Sequence, residues 1–125
     1  MKKVIATKNA PAAIGPYSQA IEVNNTIYIS GQLPIDPSTG QFPKGGIKEQ
    51  TQQSFNNIKA ILKEVGLTTD HIVKTTVLLA SIDDFGPMNE VYTTQFGDSY
   101  PARSAFAVKD LPKGALVEIE VIAAR

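Results

Sequence analysis

The chain has 125 residues, 42% of them hydrophobic and 19% charged, with twelve basic side chains balancing twelve acidic ones and no cysteine. That length suits one domain over residues 1–125, and roughly 65% of the unfolded surface is buried at this size, enough for a core without disulfides or metals. Zero net charge without a Lys/Arg run gives no pull toward nucleic acid or an anionic membrane, and the missing cysteine excludes disulfides, thiol catalysis and thiolate metal sites.

Met1-Lys2-Lys3 is followed by an apolar stretch of only Val4 to Ala6, so no secretory core follows the charges. No apolar run approaches the roughly 18 residues of a membrane span. A cytosolic protein is expected, and the missing cysteine fits a reducing compartment. Lys3 to Thr7 reads as a short strand. Gln19 to Val23 and Thr26 to Ser30 read as a hairpin turning at Asn24-Asn25, residues that tolerate positive φ. Leu33 to Gly46, rich in Pro and Gly, reads as a long functional or interface loop. Ile47, Thr51, Phe55, Ile58, Ile61, Leu62 and Val65 fall on one helical face, and Gly66 supplies a stop. Ile72 to Ala80 is β-branched and reads as a central strand. A second helix starts at Ser81-Ile82-Asp83-Asp84 and runs to about Phe96, with Met88, Val91, Tyr92 and Phe96 inward. Arg103 to Val108 and Leu116 to Ala123 close the order. The expected architecture is α+β: a mixed sheet with two helices on one face. The uncovered face calls for self-association.

The inventory of reactive groups is short. His71 is the single histidine; a Ser-His-Asp triad would need it, yet it reads as a surface residue at a loop. One histidine and no cysteine argue against zinc, and no Walker or GxGxxG loop is present, so neither metal nor organic cofactor is expected. Catalysis would fall to Arg, Glu, Tyr, Ser, Asn and backbone groups.

Three segments stand out. In Arg103 to Val108, alternation puts Arg103 on one face with Ala105 and Ala107, and Ser104, Phe106 and Val108 on the other, with Phe106 and Val108 able to reach the core. A guanidinium beside two small side chains fits a carboxylate ligand; a solvated arginine is the competing reading. In Val117-Glu118-Ile119-Glu120-Val121 the glutamates share a face. Were this strand paired antiparallel with 103–108, a glutamate would lie near the arginine; the competing reading is that both glutamates face solvent or form an ion pair with Arg103. Gly15-Pro16-Tyr17-Ser18 forms a rigid turn that projects Tyr17 as an anion donor or as a core or interface ring. Gly31, in Ser30-Gly31-Gln32, permits close backbone approach to a ligand or merely a bulge.

Taken together, Asn9 to Tyr17, Ser30-Gly31-Gln32, Val73 to Val77, Met88-Asn89-Glu90-Val91-Tyr92, Pro101-Ala102-Arg103-Ser104, Leu111-Pro112 and Val117-Glu118-Ile119 resemble the reactive-intermediate deaminase family (Rid, or YjgF). The resemblance covers essentially the whole chain. It implies a chorismate-mutase-like α+β fold and a barrel-like homotrimer with ligand clefts between subunits. It also implies hydrolysis of 2-iminobutanoate and 2-iminopropanoate, or their enamine tautomers, to 2-oxo acids and ammonia. By that likeness Arg103 binds the carboxylate, Glu118 positions or activates water, and Tyr17 contributes a hydroxyl. Asn89, Ser30 and the backbone at Gly31 line the pocket. Many relatives carry cysteine where this chain has Ala105; the Ala105 carbonyl can still hold the imine, so activity without a thiol is expected. A metabolite-binding regulator using the same pocket is the alternative, and a translation inhibitor or ribonuclease a further one, against which the charge balance and single histidine argue.

Overall fold

The computed structural model describes residues 1–125. Six strands form one sheet in the order β1-β2-β3-β6-β4-β5. They are β1 (Lys3–Ile5), β2 (Ala20–Val23), β3 (Thr26–Gln32), β4 (Ile72–Leu79), β5 (Ala102–Ala107) and β6 (Val117–Ala124). Only β4 and β5 run parallel; all other pairs are antiparallel. The expected mixed sheet is therefore present, with α1 (Ile47–Glu64) and α2 (Phe85–Thr93) on one face. The β2–β3 hairpin turns at Asn24 and Asn25, both with positive φ (50° and 61°). No helix is long and apolar enough to cross a membrane.

The helical period of the sequence predicts which side of α1 is buried. Phe55, Ile58, Ile61 and Leu62 are fully buried against Ile27, Ile29, Val77, Val117, Ile119 and Val121 of the sheet. Gly66, at φ 75°, ends α1 by bending the chain so that the Gly66 and Leu67 N–H groups donate to the Lys63 and Leu62 carbonyls. Three buried polar residues on the same side, absent from the expected face, tie α1 to the loops. The Ser54 hydroxyl donates to the Gln32 carbonyl at 2.9 Å. Asn57 Nδ2 donates to the Leu33 and Ile35 carbonyls at 3.1 and 2.9 Å. Gln50 Oε1 accepts from the Leu116 N–H at 2.8 Å. Each satisfies a backbone group that would be costly to bury unpaired.

Phe55 stands at the centre, edge-on to Tyr92 (5.6 Å between ring centroids) and to Phe96 (5.7 Å). Its truncation to alanine leaves a cavity under both helices. The expected cost is about 3–5 kcal/mol, read from the denaturant midpoint. An unchanged midpoint would place the core elsewhere.

Two expectations are corrected. The second helix is shorter than the period suggested: residues 82–84 form a 3-10 turn, α2 ends at Thr93, and Phe96 packs from the segment beyond it. In β5 the faces are reversed. Arg103 and Ala105 are half-buried on the helix-bearing side, and Phe106 is 47% exposed on the open side. Alternation identifies which residues share a face; it does not say which face meets the core.

Candidate active site

Arg103 is built into the structure at the free edge of the sheet. It is paired with Thr75 of β4, whose side chain is buried beneath α2. From there the guanidinium reaches α2, where Nη1 donates to Asn89 Oδ1 at 2.5 Å. Its carbon lies 4.6 Å from the Tyr92 ring centre and 5.3 Å from that of Phe85. The Tyr92 hydroxyl is bonded to Thr75 Oγ1 at 2.8 Å, which stops the ring from turning away. One polar contact and two aromatic faces thus set the plane of the guanidinium while most of its five donors stay available. Asn89, Tyr92, Thr93, Tyr100, Pro101 and Arg103 line a cleft of about 280 Å³. The spacing of Asn89, Tyr92 and Phe85 on one helix is the signal that could have linked them to Arg103 in advance.

Ala105 belongs to the same group. The Val108 N–H donates to the Leu79 carbonyl at 2.9 Å. Backbone groups alternate sides along a strand. The N–H and C=O of Arg103, Ala105 and Ala107 therefore point away from β4, off the edge of the sheet. No strand covers that edge in the chain itself, since β5 is the last strand.

The remaining residues gather elsewhere, on the open face. Glu118 sits opposite Leu78 in β6, on the side away from the helices, while Val117 and Ile119 are buried. It abuts Gly31, where a Cβ would come within 3.0 Å of the Glu118 Cδ and closer to its carboxylate oxygen. That contact gives glycine its purpose here: any side chain would displace the carboxylate. The bulge between Ile29 and Gln32 creates the approach. Burial pushes the Glu118 carboxyl above its usual range, and the neighbouring Glu120 adds to the effect. The Ser30 hydroxyl is committed inward, donating to the Ser18 carbonyl at 2.6 Å. Tyr17 is half exposed and borders a cleft of about 450 Å³ that Ser30 and Glu120 also line.

The seven residues singled out from the sequence therefore form two groups, Arg103, Asn89 and Ala105 at the β5 edge, and Tyr17, Ser30, Gly31 and Glu118 on the open face. The conditional pairing of β6 with 103–108 does not occur, because β4 lies between them. Arg103 and Glu118 point to opposite faces of the sheet. From β5 to β3 is three strand steps, about 14 Å. Within one chain no small molecule can touch both groups. His71 lies outside either group, its Nδ1 accepting from the Thr68 N–H at 3.1 Å.

Comparison with known proteins agrees with the fold. The family model described as endoribonuclease L-PSP matches residues 7–125. A Mus musculus protein named 2-iminobutanoate/2-iminopropanoate deaminase is 55% identical over 123 residues, covering 98% of this chain and 91% of the relative. The crystal structure of the Rid-family protein YyfA from Yersinia pestis superposes with a TM-score of 0.97 at 52% identity, covering all of both chains. That of E. coli TdcF with bound serine gives 0.94 at 41% identity over 98% of each chain. Identity of this order along nearly the whole of both partners, on a shared fold, shows that the chain belongs to the Rid (YjgF) family.

Proposed function

We propose that this protein hydrolyses 2-imino acids, 2-iminobutanoate and 2-iminopropanoate first among them, to 2-oxo acids and ammonia. The observation that carries the reading is the held guanidinium of Arg103 beside the outward carbonyl of Ala105. Those two groups match a carboxylate and an imine N–H on adjacent carbons. The deaminase name of the mouse relative and the serine bound to TdcF support the same ligand class, since serine also carries a carboxylate next to a nitrogen-bearing carbon.

In this mechanism Arg103 binds the carboxylate through paired N–H donors. The Ala105 carbonyl accepts from the imine nitrogen and turns the electrophilic carbon toward Glu118. Glu118, ionised, takes a proton from water as its oxygen bonds to that carbon. That proton passes to the imine nitrogen, which has received the π pair, and gives the carbinolamine; Glu118 then takes the hydroxyl proton and delivers it to the nitrogen as the C–N bond breaks, leaving the 2-oxo acid and ammonia. Tyr17 donates a hydroxyl hydrogen bond to the developing negative charge. An imine carbon is already electrophilic, so positioning, proton transfer and charge stabilisation are the tasks left to the protein. The mechanism asks for no thiol.

The active unit in this reading is a homotrimer in which the β5 edge of one copy meets the open face of the next. Two separated half-sites support it, as does an open face with Val4, Tyr28 and Phe106 exposed. A contact between unlike surfaces is heterologous, and a rotation that closes after three copies makes three equal clefts.

The decisive assay generates the imine with a threonine dehydratase and follows 2-oxobutanoate. Purified protein should accelerate its release; no acceleration would sink the reading, and binding of 2-oxobutanoate without turnover would point to a regulator instead. Subunit mixing tests the shared cleft. Arg103→Ala and Glu118→Gln should each be inactive alone. Refolded together in equal amounts, they should regain activity, because random assembly pairs an intact Arg103 with an intact Glu118 in about a quarter of the clefts. No recovery from a mixed trimer would overturn the shared cleft.

A further inference from the structure

The segment from Ala12 to Tyr17 is exposed throughout, and one backbone hydrogen bond closes within it, Tyr17 N–H to Gly15 C=O at 2.9 Å. It also skirts a cleft of about 590 Å³ lined by Val4 to Lys8, so it does not rest on a packed layer along its length. Yet Tyr17 must stand at one defined place if its hydroxyl is to meet a substrate. Gly15 at φ 122° sets the local bend but cannot anchor it.

The anchor is Gln19, 4% exposed. Its Oε1 accepts from the Thr7 N–H at 2.7 Å. Its Nε2 donates to the carbonyls of Pro11 at 2.8 Å and Thr7 at 3.1 Å, with the Ala10 carbonyl at 3.4 Å sharing a hydrogen. Both amide hydrogens and one acceptor position of the carboxamide are thus spent on the backbone of residues 7–11, the stretch that feeds into the Tyr17 turn. On the far side of the turn, Ser30 holds the Ser18 carbonyl through its hydroxyl, and its N–H donates to the Gln19 carbonyl at 3.0 Å. The turn is therefore pinned at entry by the Gln19 side chain and at exit by the Gln19 and Ser18 backbone.

We infer that Gln19 is a positioning residue for catalysis: its carboxamide clamps residues 7–11 to β2 and so fixes where Tyr17 enters the cleft. This rests on the role assigned to Tyr17 in the proposed reaction. A clamp acting only on Tyr17 makes a distinctive prediction, because residues acting through one another are not additive.

The test is a double-mutant cycle in the dehydratase-coupled assay. Gln19→Met keeps length and loses all four hydrogen bonds. It should lower kcat about ten- to hundredfold, the scale of a small misplacement of a reacting group, with KM little changed because Arg103 still grips the carboxylate. In a Tyr17→Ala background the same change should cost less than about twofold, while thermal unfolding shows the same drop in Tm in both backgrounds. An equal fold-loss of kcat in both backgrounds overturns the inference and leaves the Tyr17 assignment standing. A silent Tyr17→Ala in an active enzyme overturns both. Should Gln19→Met not fold, Gln19→Glu runs the same cycle; it keeps the acceptor for the Thr7 N–H and loses the two donors.

Discussion

Arg103→Lys is expected to lower kcat/KM by about tenfold to a hundredfold although the charge is kept. A charge-assisted hydrogen bond contributes about 1.5–3 kcal/mol, and each 1.4 kcal/mol is a factor of about ten. What lysine loses is the plane. The guanidinium is oriented by Asn89 Oδ1 at its edge and by the rings of Tyr92 and Phe85 across its faces. An ammonium offers no coplanar pair of N–H donors to match the two carboxylate oxygens, and it has no flat surface to lay on Tyr92. The carboxylate is gripped in ground state and transition state alike, so most of the loss should fall on KM. Calorimetric binding of 2-oxobutanoate should weaken by the same factor. Arg103→Ala should go further and abolish turnover. Lysine with wild-type KM would remove the paired donors from the mechanism.

The sequence speaks clearly about local structure and poorly about what joins its parts. The apolar spacing from Ile47 to Leu62 specifies both α1 and its buried side, because helical period is a local property. Asn24-Asn25 specify a turn for the same reason. Strand order is another matter. β6 inserts between β3 and β4, pairings with partners far apart along the chain, and nothing in Val117 to Ala124 names those partners. The error over Phe106 has a related origin. A large apolar side chain normally marks the core-facing side of a strand, but the open face of this sheet is itself apolar, with Val4, Tyr28 and Phe106 on show. The candidate residues can each be picked out in the sequence; their separation onto two faces cannot, because it depends on which strand stands beside which. Gln19 and Thr75 were missed for a simpler reason. Each acts through hydrogen bonds to distant residues, Thr7 to Pro11 and Tyr92, and polar side chains carry no periodic signal.

Glu118→Gln should lower kcat steeply and, at neutral pH, give a more stable protein. The amide cannot accept the proton from water, and loss of a positioned general base costs about 10²–10⁴-fold. The stability gain follows from the direction of the Glu118 shift. Burial, with a smaller contribution from Glu120, raises its carboxyl in the folded chain above the ordinary value. The folded state therefore binds the Glu118 proton more tightly than the unfolded state does. Stability from this group is complete at pH below the ordinary carboxylate value and is lost as pH rises through the raised one. Where Glu118 is ionised the wild type bears that cost and the amide bears none. The Tm of Glu118→Gln should exceed that of wild type at pH 7, and the gap should close as the solution is made acid. The same shift governs turnover, because only ionised Glu118 takes a proton. The acid limb of kcat/KM should lie above the ordinary carboxylate range. Glu120→Gln should move it toward lower pH without returning it to the ordinary value, since burial is the larger cause. A limb at the ordinary position that ignores Glu120 would assign the base to another group. A Tm gap that persists in acid would separate the stabilisation from ionisation. The same desolvation thus weakens the fold at Glu118 and strengthens the base there, which is the trade expected of a carboxylate retained for chemistry rather than for packing.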